Sequence, residues 1–237
     1  MAEGFRVARS LGEAEGFGPS AVTIGNFDGV HLAHQKLIRR VVEMGRARRI
    51  KAAVLTFHPH PASIVAPERS PKLLTTPEQR AERMRQEGVD EVLILPFDAE
   101  LSRLTPEEFI ERVLMARLRA RVVVVGENFR FGNRQAGDTT LLEAAGRRWG
   151  FETEFVGDVR IRGRMVSSTE VRRLAGEGKV AAACRLLGRP FALEGGVVTG
   201  QGVGRKQTVP TLNLEPDSEV LPARGVYITR TRDLADG

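Results

Sequence analysis

One cysteine, Cys184, stands among 237 residues, so no internal disulfide is available. It lies in the run Ala181-Ala182-Ala183-Cys184-Arg185-Leu186-Leu187, an apolar helical stretch where a buried, inert thiol is the expected role. There is no CxxC pair and no Cys/His spacing of the zinc type. Aromatics make up only 5% of the chain, with a single Trp and a single Tyr. A nucleic-acid interface needs basic residues clustered with aromatics, and here the arginines are spread along helices instead. No apolar run reaches the roughly 18 residues of a membrane span. Glu3, Glu13 and Glu15 and the lack of an apolar core segment argue against a leader peptide. The expectation is a cytoplasmic protein that binds neither nucleic acid nor membrane.

A 41% hydrophobic fraction suffices for a core, and the net charge of +6 suits polyanionic partners such as nucleotides, although an arginine-rich solvated surface explains it equally. Residues 20–26 read as a short buried strand. Ala33, Leu37, Ile38, Val41 and Val42 then recur at helical spacing over residues 31–49. Further strands are predicted at 51–57, 91–97, 121–126 and 151–156. Between them, Thr76-Pro77-Glu78-Gln79 and Thr105-Pro106-Glu107-Glu108 are capping-box starts with proline at the first helical position. Asp138 caps another helix, which ends at Gly150. Strand and helix alternate, so the predicted fold is α/β, a doubly wound parallel sheet. Beyond about residue 187 the helical periodicity fades and glycine becomes dense. Residues 192–204 and 225–230 read as strands with turns, which divides the chain into residues 1–187 and 188–237.

Ligands of such sheets bind beyond the carboxyl ends of the strands, near the reversal of strand order. Polar clusters do follow strand ends: Gly25-Asn26-Phe27-Asp28-Gly29-Val30-His31, then Phe57-His58-Pro59-His60-Pro61, then Gly126-Glu127-Asn128-Phe129-Arg130-Phe131-Gly132. All four histidines of the chain, His31, His34, His58 and His60, lie at the first two. His31 and His34 share a face at a helix N-terminus, whose free N–H groups and positive dipole end attract phosphate. Phosphoryl and nucleotidyl transfer need mostly positioning and charge neutralisation, which such a cluster supplies. Asp28 could position Mg²⁺ or a substrate hydroxyl. The same histidines with Asp28 are of transition-metal type, yet no acidic set completes a familiar site. Ser167-Ser168-Thr169-Glu170 reads as a capping box, with Arg172 one turn on where it could meet a phosphate. Asn128 could read a base or ribose. Gly200, Gly202 and Gly204 precede Arg205, and Thr211 with Asn213 is a weak Mg²⁺ pattern.

In this order the residues resemble the prokaryotic bifunctional riboflavin kinase/FAD synthetase family, from about residue 20 to residue 228. Residues 24–35, 56–61, 126–138 and 167–172 resemble its four successive nucleotidyltransferase motifs. Ala33 departs from the glycine of the wider HxGH pattern, and Asn133-Arg134-Gln135 departs from a more basic stretch. The resemblance implies a Rossmann-like nucleotidyltransferase followed by an incomplete small β-barrel segment. It implies an FMN adenylyltransferase that uses ATP and FMN and requires Mg²⁺. His31, His34, Asp28 and Arg172 would be catalytic. Gly25, Asn26, Phe27, Asn128, Ser167, Ser168 and Thr169 would hold ATP, and Phe57, Pro59 and His60 would lie by the flavin phosphate.

Gly204-Arg205 and Pro210-Thr211-Leu212-Asn213 resemble signatures of the family's riboflavin kinase module, with Thr211 and Asn213 as its Mg²⁺ ligands. The module's catalytic glutamate falls beyond Gly237 in the family, and Glu215 and Glu219 come too early to replace it. Little or no phosphorylation of riboflavin is therefore expected from these 237 residues. The alternatives are a nucleotidyltransferase for another phosphate acceptor, which the residue 56–61 motif disfavours, and a basic nucleic-acid-binding protein.

Overall fold

A computed structural model describes residues 4–199 and 212–234. Its centre is a six-stranded parallel sheet made of β1 (Arg6–Ala8), β2 (Ser20–Ile24), β3 (Lys51–Phe57), β4 (Glu91–Leu95), β5 (Ala120–Gly126) and β6 (Glu152–Val156). Across the sheet the order is β1-β4-β3-β2-β5-β6. The chain therefore winds one way from β2 to β4 and the other way from β5 to β6. The reversal falls between β2 and β5, where ligands of such sheets bind.

Period-two alternation divides the strand side chains between two faces. On one, Ala21, Val54, Val92, Ile94, Val122 and Val124 pack against Ile38, Val41 and Val42 of α1 (Leu32–Arg48) and Ala81 and Met84 of α3 (Pro77–Gln86). On the other, Val22, Ile24, Leu55, Leu93, Val123 and Val125 meet α4 (Pro106–Phe109) and α5 (Thr139–Trp149). Helix α4 continues as a π-helical segment, Ile110–Met115, whose Ile110, Val113 and Leu114 are buried. Each such side chain contributes about 1.5–3 kcal/mol of transfer free energy. Both expected capping boxes form reciprocally, Thr76 with Gln79 and Thr105 with Glu108.

A third cluster lies beyond the strand ends. Val171, Leu174 and Ala175 of α6 (Ser168–Gly176) pack with Ala183, Leu186 and Leu187 of α7 (Val180–Leu187) and with Leu74. Ala33 packs against this cluster, which gives its methyl group an apolar neighbourhood. Short α2 (Pro61–Val65) follows β3.

Three differences from the sequence reading stand out. Edge strand β1 was not anticipated, since its three residues include two exposed ones and carry no alternation. A hairpin of β7 (Arg160–Ile161) and β8 (Arg164–Met165) precedes α6; both turn residues, Arg162 and Gly163, have positive φ, as a primed two-residue turn requires. In the C-terminal stretch β9 (Gly195–Val198) pairs antiparallel with β10 (Asn213–Pro216). Residues 225–230, expected as a strand, form none; Val226 and Ile228 are fully exposed, so nothing rewards an extended apolar register there. Gly204, Arg205 and Thr211 lie outside the described residues, and Asn213 opens β10.

Candidate active site

The loop from β2 to α1 is the centre of the site, and its backbone is strained. Phe27, Gly29 and Val30 all have positive φ, at 49°, 81° and 38°. For non-glycine residues this costs of order 1–3 kcal/mol each and persists only where the surroundings fix it. Here Phe27 and Val30 are buried in the α1 side of the core. Phe27 is 0% exposed and meets the His34 ring edge-on at 5.0 Å between centroids. Its side chain, expected to hold ATP, instead anchors the loop from beneath. At Gly29 the φ of 81° is what favours glycine, since an added Cβ would meet the movable end of Leu74, Cδ1 at 2.8 Å.

Asp28 fastens the loop to two other segments. Its carboxylate, 1% exposed, accepts from Leu74 N–H, Thr75 N–H and Thr75 Oγ1, each at 3.0 Å, and from Arg172 Nη2 at 2.6 Å. These donors fill its lone pairs, so it meets the protein where the sequence left it free for Mg²⁺ or a substrate hydroxyl. Arg172 also donates through Nε to Lys72 O at 2.7 Å. Ser168 Oγ donates to Asp28 O at 2.8 Å, and Ser167 caps α6 by accepting from Glu170 N–H. Glu170 turns to Arg173 and Arg164 and leaves the expected capping box half formed. Asp28, Ser168 and Arg172 are thus one unit. Thr169 and Asn128 are exposed; Asn128 sits just past the end of β5, at the reversal of strand order.

His31 and His34 stack at 3.6 Å between ring centroids, 16° from parallel. His31 is the N-cap of α1, its Nδ1 accepting from His34 N–H at 3.4 Å. A neutral ring that accepts through Nδ1 carries its proton on Nε2. Burial lowers the His31 pKa to about 4, outweighing the opposing pull of Asp28. Burial, then the neighbouring His31, Arg80 and Arg172, hold His34 well below the usual histidine range. Both rings are therefore neutral donors near pH 7. His34 Nδ1 is enclosed and has no hydrogen-bond partner.

That depressed value has a consequence for stability. The unfolded chain takes up this proton near pH 6.5 and the native state only near 4. Between those pH values the unfolded state binds more protons, so stability present above pH 6.5 is lost as pH falls toward 4. The full loss is about 3 kcal/mol. Urea unfolding at several pH values is expected to show this decline. His31→Asn, which keeps a capping side chain, is expected to lessen it; an unchanged slope would contradict the assignment.

The loop after β3 closes the site. His60 caps α2, accepting from Ala62 N–H, and its Nε2 lies 3.1 Å from Asn26 Nδ2. Burial, and then Arg172, lower the His60 pKa. Phe57 is half-buried against Phe97, whereas Pro59 is exposed. Among the described residues no group of three or more His, Cys, Asp or Glu could hold a metal ion, so the transition-metal reading finds no cluster.

Two arginines had gone unnoticed. Arg80 of α3 donates to Asn26 O at 2.7 Å, and Arg189 donates to Gly29 O at 2.6 Å and Val30 O at 3.0 Å. Arg80 could have been found from the helical wheel, since it shares the buried face of α3 with Pro77, Ala81 and Met84. Nothing local marks Arg189. Both arginines hold carbonyls of the β2–α1 loop from behind.

The FAD synthetase family matches residues 14–170 and the riboflavin kinase family residues 187–235. The bifunctional riboflavin kinase/FMN adenylyltransferase of Escherichia coli (strain K12) is 37% identical over 215 residues, 91% of this chain and 69% of the relative. Its counterpart from Buchnera aphidicola subsp. Schizaphis graminum is 34% identical over 89% of this chain and 68% of its own. A crystal structure described as a macrolide-efflux protein from Streptococcus pneumoniae superposes with a TM-score of 0.78 at 30% identity, covering 88% of this chain and 69% of that one.

Proposed function

Because the chain belongs to the FAD synthetase family, we propose that the loops gathered at the β2/β5 reversal carry out its adenylyl transfer. The chain is an FMN adenylyltransferase: AMP passes from ATP to FMN, giving FAD and pyrophosphate. The observation behind the residue assignments is the unit of Asp28, Ser168 and Arg172 beside the stacked histidines.

An oxygen of the FMN phosphate attacks the α-phosphorus of ATP. A new P–O bond forms as the bond to the β-phosphate oxygen breaks, and the electron pair leaves with pyrophosphate. The attacking phosphate is already anionic, so no general base is needed. Negative charge grows on the α-phosphate oxygens. His31 Nε2–H, His34 and the N–H groups at the start of α1 would meet that charge, and their fixed arrangement avoids reorganisation during the reaction. Gly25, Asn26, Asn128, Ser168 and Thr169 would line the ATP side. Phe57, Pro59 and His60 would line the flavin side. Arg172, held by Asp28, would face the triphosphate.

Mg²⁺ prefers oxygen donors. The Asp28 carboxylate is filled by protein donors, so Mg²⁺ is best read as arriving with ATP as part of the substrate. The reaction is expected to take place in the cytoplasm. We place the adenylyltransferase in residues 1–187 and the riboflavin-kinase-like part in 188–237. In the latter the described strands form only the β9–β10 pair. Riboflavin supplied with ATP to these 237 residues is expected to yield little or no FMN; measurable conversion to FMN by chromatography would overturn that.

The two parts touch. Arg189 holds Gly29 O and Val30 O, Gln79 Nε2 donates to Glu194 Oε2, and Glu219 accepts from Leu73 N–H. Arg189→Ala is therefore expected to raise KM for ATP at least about tenfold, since it removes two charge-assisted contacts to the loop, without changing the product. An unaltered KM would mean that the loop holds its shape without Arg189.

A further inference from the structure

Arg80 is a buried cation with no carboxylate in direct contact; Asp28 and Glu78 act on it only from a distance. It is 2% exposed. Its Nη1 donates to three uncharged oxygens: Asn26 O at 2.7 Å, Thr56 Oγ1 at 3.3 Å and Phe57 O at 3.3 Å. Nε is enclosed and has no partner, and Nη2 makes no hydrogen bond among the described residues. No carboxylate there comes within ion-pair distance of it, whereas Arg172 has Asp28 at 2.6 Å. Burial outweighs the pull of Asp28 and Glu78 and lowers the Arg80 pKa, so a closer anion would be favoured. A merely structural link between loop and strand would be made as well by a neutral amide at a lower desolvation cost.

The location narrows the missing partner. Arg80 lies under the junction of the β2–α1 loop, through Asn26, and the carboxyl end of β3, through Thr56 and Phe57. Nε and Nη2 form one edge of the guanidinium fork; Nε is enclosed, so Nη2 is the donor that remains for a phosphate oxygen. We propose that Arg80 is a further phosphate-binding residue of the transfer, its Nη1 tying the β2–α1 loop to the carboxyl end of β3 and its unused edge taking a phosphate oxygen of bound nucleotide or flavin. This rests on the adenylyltransferase reading above. The charge of Arg80 also acts on its neighbours, lowering the pKa values of His34, His58 and His60 after burial has done so. It therefore favours the neutral imidazoles that donate to phosphate.

The test compares wild type with Arg80→Gln and Arg80→Lys. Wild-type FAD synthesis is measured first; its absence would sink the adenylyltransferase reading itself, separately from the role of Arg80. Dissociation constants are then measured for Mg·ATP without FMN and for FMN without ATP, alongside kcat and the fraction folded. Arg80→Gln is expected to lower kcat/KM at least 100-fold, the scale of one lost donor to developing charge. It is also expected to raise one of the two Kd values at least tenfold, which identifies the phosphate held. The acid limb of its pH–rate profile should move upward as the histidines lose their cationic neighbour. Arg80→Lys keeps the charge but not the fork, and is expected to recover part of kcat/KM while its Kd stays raised. Folded Arg80→Gln protein with both Kd values unchanged would overturn the proposal. If the glutamine variant does not fold, Arg80→Lys decides: an unchanged Kd for both ligands refutes the role.

Discussion

Replacing both His31 and His34 by alanine is expected to lower kcat for FAD formation by about 10⁴-fold, with a much smaller change in KM for FMN. Loss of one preorganised donor to developing charge costs about 10²–10³ in kcat. The two rings are stacked 3.6 Å apart and act at one place, so their effects will combine less than multiplicatively. His31→Ala also removes the α1 cap, worth about 1 kcal/mol. Activity must therefore be referred to folded protein. His31→Asn separates the two contributions, since it restores a cap but not an imidazole Nε2–H. Initial rates at saturating ATP and FMN check this. A double variant within tenfold of wild type would mean that the histidines only pack.

Asp28→Asn is expected to destabilise the fold by about 3 kcal/mol and to abolish most activity. Every group that reaches the Asp28 carboxylate is a donor: two backbone N–H groups, the Thr75 hydroxyl and Arg172. An asparagine amide would turn its own NH₂ toward one of them, leaving a donor facing a donor. It would also leave Arg172, mostly buried, without its counter-charge. Removing one partner of a buried pair typically costs 3–5 kcal/mol; the lower end suits a guanidinium that keeps slight access to water. The strained angles at Phe27 and Val30 depend on the same anchorage, so the loop is expected to relax and KM for ATP to rise. Urea unfolding gives the stability change. A loss below about 1 kcal/mol, with normal KM for ATP, would show that the loop holds without its carboxylate clamp.

Much of the architecture was legible because the parallel strands are buried on both faces and read as continuous apolar runs. Residues 51–57 and the stretch at Val122–Val125 are of this kind. The helices of residues 77 and 106 announced themselves through proline-containing caps. What stayed hidden depends on contacts distant in sequence. Edge strand β1 owes its existence to pairing with β4, and nothing in three residues encodes that. The site was legible as a set of loops, while the task of each residue within them was not. Asp28 read as a free carboxylate, because its four donors come from residues 46 to 144 positions away. Phe27 read as a ligand contact and is a core anchor, since a positive φ turns its ring inward. Arg80 was visible as an arginine on a helix; that its buried charge touches no carboxylate became visible only once the neighbouring elements were in place.

The central claim is that this loop cluster passes the α-phosphoryl group of ATP, with its adenosine, to FMN. Incubating the chain with Mg²⁺, FMN and ATP labelled at the α-phosphorus, then separating the flavins, tests it most directly. The account predicts label in FAD, one pyrophosphate released per FAD, and no FAD from the chain lacking His31 and His34 imidazoles above about one part in 10⁴ of the wild-type rate. Label that never reaches the flavin, or FAD formed at an undiminished rate by the double alanine variant, would contradict it.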